Sequence, residues 1–190
     1  MQMRPMAPKC GVEISGVSLS GCNDAELAAI KQAIYEHGVA VFRDQEFSPE
    51  DHIAFAERWG GIDINNYFPL QDRYPQIAIV RKQPDQMTNI GGAWHTDHSY
   101  DQIPAMGSIL VARELPPVGG DTLFSSMAAA HDALSEGLRQ TLSGMRAVHT
   151  SDHIYRPDGY YAQTDMAADL KGHEVSTRAV HPVIIRHPVT

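Results

Sequence analysis

The chain has 190 residues, 43% hydrophobic and 20% charged, enough apolar material for one soluble domain with a sizeable core. Fifteen Lys and Arg against 23 Asp and Glu leave a formal net charge of −8 with no basic run, which argues against nucleic acid and anionic membrane as partners. No stretch approaches the roughly 18 apolar residues of a membrane span and the start does not read as a signal peptide, so a cytoplasmic protein is expected. Cys10 and Cys22 are too few for a disulfide scaffold or a thiolate cage, so any metal here would meet nitrogen and oxygen donors from the 10 His and 23 carboxylates.

Residues 1–9 read as a loose tail. Val12, Ile14, Val17 and Leu19 alternate as a strand interrupted at Gly16. Asn23 followed by Glu26 has the form of a capping box, and Leu27, Ile30, Ile34 and Tyr35 line one helical face before Gly38 stops it. Residues 39–42 read as a short buried strand. Ser48-Pro49-Glu50-Asp51 places a cap, an N1 proline and two acids at the start of a second helix, ending near Gly60-Gly61. Between there and residue 124, short apolar runs at 62–64, 77–81, 108–112 and 122–124 are punctuated by Pro and Gly, a pattern predicting an all-β core rather than alternating βαβ units. Two helices are predicted over 127–134 and 136–142 with Ser126 and Ser135 as caps. Strands are expected at 147–149 and 180–185, and residues 151–178 carry no readable pattern.

On a strand, residues two apart share a face, so His95 and Asp97 would project an imidazole and a carboxylate into one space. That is two thirds of the set of two His and one carboxylate that holds non-haem Fe(II) with positions left open. One His-x-Asp triplet is present where about 0.7 is expected by chance, so the pair taken alone reads as a surface His–carboxylate hydrogen bond.

Its surroundings shift that balance. Trp94-His95-Thr96-Asp97 resembles the iron-binding segment of the taurine dioxygenase and 2,4-dichlorophenoxyacetate dioxygenase family of Fe(II)- and 2-oxoglutarate-dependent oxygenases. Glu114-Leu115-Pro116 through Gly119-Gly120-Asp121-Thr122-Leu123-Phe124 resembles its co-substrate segment. Val41-Phe42-Arg43, Phe55-Ala56-Glu57-Arg58-Trp59-Gly60, His181-Pro182-Val183 and His187-Pro188-Val189 match further family positions in order.

The resemblance implies an α+β fold, a distorted double-stranded β-helix (jelly-roll-like, clavaminate-synthase-like) with flanking helices. It implies His95 and Asp97 as the first two iron ligands and Thr122 as a hydrogen-bond donor to 2-oxoglutarate, with Trp94 packing beside the metal. It also implies a reaction in which O2 and 2-oxoglutarate yield succinate, CO2 and a hydroxylated small organic acid, with no separate general base. Taken on residue type alone, Thr122 is a β-branched strand residue after a Gly-Gly turn.

Asn65, Phe68, Gly91, His98 and Tyr100 fall at substrate-pocket positions of the family, and a bend after Asp97 would bring His98 and Tyr100 there. By type alone Asn65 is a turn residue and Phe68 a core aromatic. Members selective for taurine carry His, Tyr and Asn where this chain has Asn65, Phe68 and Gly91, so taurine itself is not the expected substrate. The family's third ligand, a distant His, and its 2-oxoglutarate Arg match nothing up to Thr190. Neither His181 and His187, which match other family positions, nor His149, His153 and His173 substitute for that ligand. Residues 1–190 are therefore expected to form a single oxygenase domain lacking its C-terminal part. A folded, inactive binding module is the alternative. A two-zinc hydrolase is the weaker one, since its cluster needs His where Ala93 stands. A small-molecule substrate is the expected partner, and homo-oligomerisation is compatible with the sequence.

Overall fold

The computed structural model describes residues 1–167 and 176–190, which divide into two units, one of residues 1–55, 110–144 and 184–190 and one of residues 56–109 and 145–183. The first unit is organised by a three-stranded sheet. Strand β1 (Gln2–Pro5) pairs antiparallel with β2 (Val12–Ser15), which pairs in parallel with β3 (Ala40–Val41). Helix α1 (Asp24–His37) crosses between β2 and β3, making one βαβ unit.

Residues 1–9, expected as a tail, thus contain a strand. It carries no apolar alternation because all four of its residues are exposed, and the Arg4–Glu13 ion pair (3.2 Å) spans it to β2. The run from Val12 stops at Gly16 (φ +69), so Leu19 is buried on a short 3₁₀ turn rather than a strand.

Helix α1 follows its sequence signals. Asn23 Oδ1 accepts from the Glu26 amide (3.0 Å) while Glu26 Oε2 accepts from the Asn23 amide (2.9 Å), satisfying two N-terminal donors reciprocally. Its apolar face, Leu27, Ile30 and Ala33, is buried with Val12 and Ile14 of β2, and the helix ends at Gly38, whose amide returns to Ile34 O.

Helix α2 (Pro49–Glu57) is capped by Ser48, whose Oγ accepts from the Asp51 amide (3.0 Å) and donates to Asp51 Oδ2 (2.7 Å). That hydroxyl and the Ser48 amide hold the Asp51 carboxyl below the usual range. Phe47 packs on His52 and Phe55, closing the first turn as a staple. Helices α3 (Met127–Asp132) and α4 (Glu136–Ser143) begin at Ser126 and Ser135 as predicted, and neither buries a residue.

The second unit contains the antiparallel pair β4 (Arg146–Thr150) and β5 (Arg178–Pro182), registered from Arg146↔Pro182 to Thr150↔Arg178. Helix α5 (Asp152–Tyr155) and a 3₁₀ turn, Tyr161–Gln163, occupy part of the stretch without a readable pattern; His173 lies outside the described residues. Ser151 is fully buried. Its amide donates to Thr177 O (3.1 Å), its Oγ accepts from the Thr177 amide (3.1 Å), and Tyr67 OH lies 2.9 Å from Thr177 Oγ1.

The strands predicted at 62–64, 77–81, 108–112 and 122–124 are irregular in the structure. A strand needs a neighbour to complete its hydrogen bonds, and β-propensity cannot supply one. The all-β core expected for that region is accordingly not formed among the described residues. No helix there is long and apolar enough to cross a membrane.

Candidate metal centre

His95 and Asp97 lie in the second unit, His95 on an irregular segment and Asp97 at the start of a turn, not on the strand predicted for them, yet their side chains converge, with His95 Nε2 3.1 Å from Asp97 Oδ1. The convergence comes from the imidazole's second bond. His95 Nδ1 is 2.7 Å from the Ala93 carbonyl, which can only accept, so Nδ1 carries a hydrogen, and Nε2 is turned to the carboxylate, a contact that needs a second ring hydrogen or a cation between the two. A ring nitrogen anchored on a backbone carbonyl is the usual support of a metal-binding histidine. Ser108 Oγ donates to the other carboxylate oxygen, Asp97 Oδ2 (3.3 Å). Both side chains are about half exposed, leaving the Nε2/Oδ1 edge accessible. A nitrogen and a carboxylate oxygen on one edge suit Fe(II). Among the described residues no third His, Cys, Asp or Glu joins this pair in a metal-holding group.

The chain bends immediately after Asp97: His98 has φ +53, unusual for a residue with a side chain. The bend turns His98 onto Asp101, Nδ1 to Oδ2 2.9 Å, with Asp63 Oδ2 at 3.7 Å. These three are the group of potential ligands that the sequence reading missed; the three-residue spacing of His98 and Asp101 was its available signal. The turn is tied to β5 by His181 Nε2 to Asp101 O (2.9 Å) and Gln102 Nε2 to Arg178 O (3.0 Å).

Tyr100 is packed with Tyr67 (5.4 Å between rings), which stacks on Tyr155 at 4.1 Å. Burial, then the neighbouring phenols of Tyr155 and Tyr67, drive the Tyr100 hydroxyl far above its ordinary range. Burial and the Tyr161 and Tyr67 phenols push Tyr155 up to about 12.

The other predicted substrate positions have structural engagements. Asn65 Oδ1 accepts from the amides of Tyr67 (2.8 Å) and Phe68 (3.2 Å), an Asx turn. Phe68 packs with Ile90, Ile154 and Tyr155 against buried Tyr161 and Met166. Gly91 (φ +67) donates its amide to Tyr161 OH (3.2 Å). Trp94, expected to pack beside the metal, is 71% exposed. Thr122 belongs to the first unit, where it is exposed on an irregular segment after Gly119 and Gly120, both at positive φ.

The family model described as taurine catabolism dioxygenase TauD, TfdA family matches residues 2–190. The chain belongs to this family. Among relatives of the TauD/TfdA chain, it is 29% identical over its whole length to an (S)-phenoxypropionate/alpha-ketoglutarate-dioxygenase of Delftia acidovorans, covering 68% of that protein. It is 32% identical, again over its whole length, to an alkylsulfatase of Acinetobacter baylyi, covering 60% of it. The crystal structure of a taurine dioxygenase from Burkholderia xenovorans superposes with a TM-score of 0.75 at 27% identity, covering all of this chain and 60% of that one. The chain therefore has the fold of TauD-like structures over the part that it spans. That part is about half to two thirds of the curated relatives, at 54%, 68% and 47% of three of them.

Proposed function

We propose that this TauD/TfdA chain belongs to an Fe(II)- and 2-oxoglutarate-dependent dioxygenase that hydroxylates a small organic acid other than taurine, using O2 and releasing succinate and CO2. The observation that carries the reading is the His95–Asp97 edge, with Nδ1 bonded to a carbonyl and Nε2 3.1 Å from the carboxylate. His95 and Asp97 are the first two iron ligands. Residues 1–190 form part of one oxygenase domain built on a double-stranded β-helix, whose third ligand and 2-oxoglutarate arginine lie in the part of the family's length that the match does not span.

Iron supplies the activation of O2 and the oxidative decarboxylation of 2-oxoglutarate. The chain's own residues hold and orient. Ala93 O sets the ring of His95, Ser108 steadies Asp97, and Thr122 donates to a 2-oxoglutarate carboxylate. On the substrate side, His98 is held by Asp101 through Nδ1, which leaves Nε2 to meet an acid group beside Tyr100. Asn65 and Phe68 shape the pocket wall through the turn and the apolar cluster, and Gly91 leaves it without a side chain.

The test is iron-dependent formation of succinate from 2-oxoglutarate by the complete protein. His95→Ala and Asp97→Ala are each expected to lower it at least about 100-fold, at the upper end of what disturbing a metal's environment costs. Full activity in either variant would falsify the assignment.

A further inference from the structure

The backbone leading into His95 is gripped from one short segment. Asp165 accepts from the amides of Met87 (2.5 Å) and Thr88 (3.3 Å), and four residues earlier Tyr161 OH accepts from Gly91 (3.2 Å). The Tyr161 ring is buried beside Met166, with Phe68, Ile90, Ile154 and Tyr155 around them, so the core sets where its hydroxyl stands. Gly91 adopts φ +67, and the side of its α-carbon where a side chain would grow faces the His95 ring. A Cβ there would stand 3.1 Å from His95 Cε1 and 3.8 Å from Nε2. That contact is tight enough for the ring to have to give by a few tenths of an ångström. Cε1 is the ring carbon between the two nitrogens, so a push on it disturbs the Nδ1 bond to Ala93 and the approach of Nε2 to Asp97 together.

We propose that Gly91 and Tyr161 are positioning residues for His95: the buried phenol pins the left-handed turn at Gly91, and the glycine's bare face seats the imidazole with Nε2 toward Asp97. Their task rests on the reading of His95 as an iron ligand, and it gives Gly91 a reason to lack a side chain that is separate from any substrate contact. Tyr161 acts only through Gly91, since its hydroxyl bonds to the backbone and not to the imidazole.

The test reads the ring directly. In protein labelled with ¹⁵N-histidine, wild-type His95 gives one set of ring resonances, with a hydrogen on Nδ1 bonded to Ala93 O. Gly91→Ala and Tyr161→Phe move those resonances and weaken the Nδ1 hydrogen bond, and Co(II) affinity, followed by visible absorption, falls roughly tenfold. Gly38→Ala introduces a side chain at a similar φ of +75 with nothing within 4 Å, and leaves both readouts unchanged. Gly91→Asn separates backbone strain from contact, because Asn tolerates the left-handed region better than Ala. Failure of Asn as severe as that of Ala supports contact with the ring; recovery of both readouts by Asn overturns it.

A wild-type His95 spectrum in Gly91→Ala or in Tyr161→Phe also overturns the proposal. Should Gly91→Ala not fold, Tyr161→Phe decides, since it keeps the buried ring and removes only the acceptor. Co(II) binding indifferent to His95→Ala would remove the iron-site reading, while the ring spectra would still decide whether Gly91 and Tyr161 position the ring.

Discussion

Helix α1 and residues 110–124 belong to the same unit and are both rich in apolar residues, yet they end in opposite states. In α1, Leu27, Ile30 and Ala33 are buried, and the capping box and the Gly38 amide satisfy groups at both ends. Along 110–124, Leu110 is 75% and Val118 88% exposed, and no backbone hydrogen bond joins these residues to other described ones. A helix completes its hydrogen bonds within its own sequence and needs only one face covered. A strand needs neighbours for its backbone as well as for its side chains.

Truncating Ile30, which is wholly buried, is expected to show the largest effect: Ile30→Ala should destabilise the chain by about 2–5 kcal/mol in urea unfolding. Val118→Ala should stay within about 0.5 kcal/mol. A large loss at Val118 would mean that 110–124 is packed in solution, erasing the contrast. Between the two lies Asn23→Ala, expected to cost about 1 kcal/mol through the capping box. Hydrogen exchange sharpens the comparison without mutation: amides within α1 should be protected and those of 110–124 should exchange close to their intrinsic rates.

Acid is the mildest probe. The Asp51 carboxyl is lowered by Ser48, and that of Asp165 by Thr88 first and then Met87. Asp165 is exposed and Asp51 part-exposed, so the effects are small. Each group binds its proton more weakly folded than unfolded. Its contribution is therefore complete above the ordinary carboxylate value near 3.9 and is lost as pH falls through the lowered folded value. Carboxyl NMR titrations should place both midpoints below 3.9, and a midpoint at the ordinary value would refute the bond concerned.

What could be read in advance follows the same division. The caps at Asn23, Ser48, Ser126 and Ser135 were legible because cap and amide lie three residues apart. Strand β1 was not, since its partner lies beyond a turn and its residues carry no apolar pattern. At the candidate metal centre the convergence of His95 and Asp97 was legible, but for a geometry the structure does not use. A strand would have aligned them by pleat, whereas an irregular segment running into a turn aligns them, with Ala93 O holding the ring. The contacts of Tyr161 and Asp165 with residues 87–91 span 70 to 78 positions, and no local pattern announces them.

His95 and His181 illustrate how a backbone carbonyl writes the chemistry of an imidazole. Ala93 O faces Nδ1 of the first ring, and Asp101 O faces Nε2 of the second. The carbonyls thereby place a hydrogen on opposite nitrogens, Nδ1 of the first ring and Nε2 of the second, and turn Nε2 of the first to the Asp97 carboxylate. Two residues indistinguishable in the sequence alphabet thus leave the fold with different tasks, one ring aimed at a carboxylate and the other spent on holding the turn.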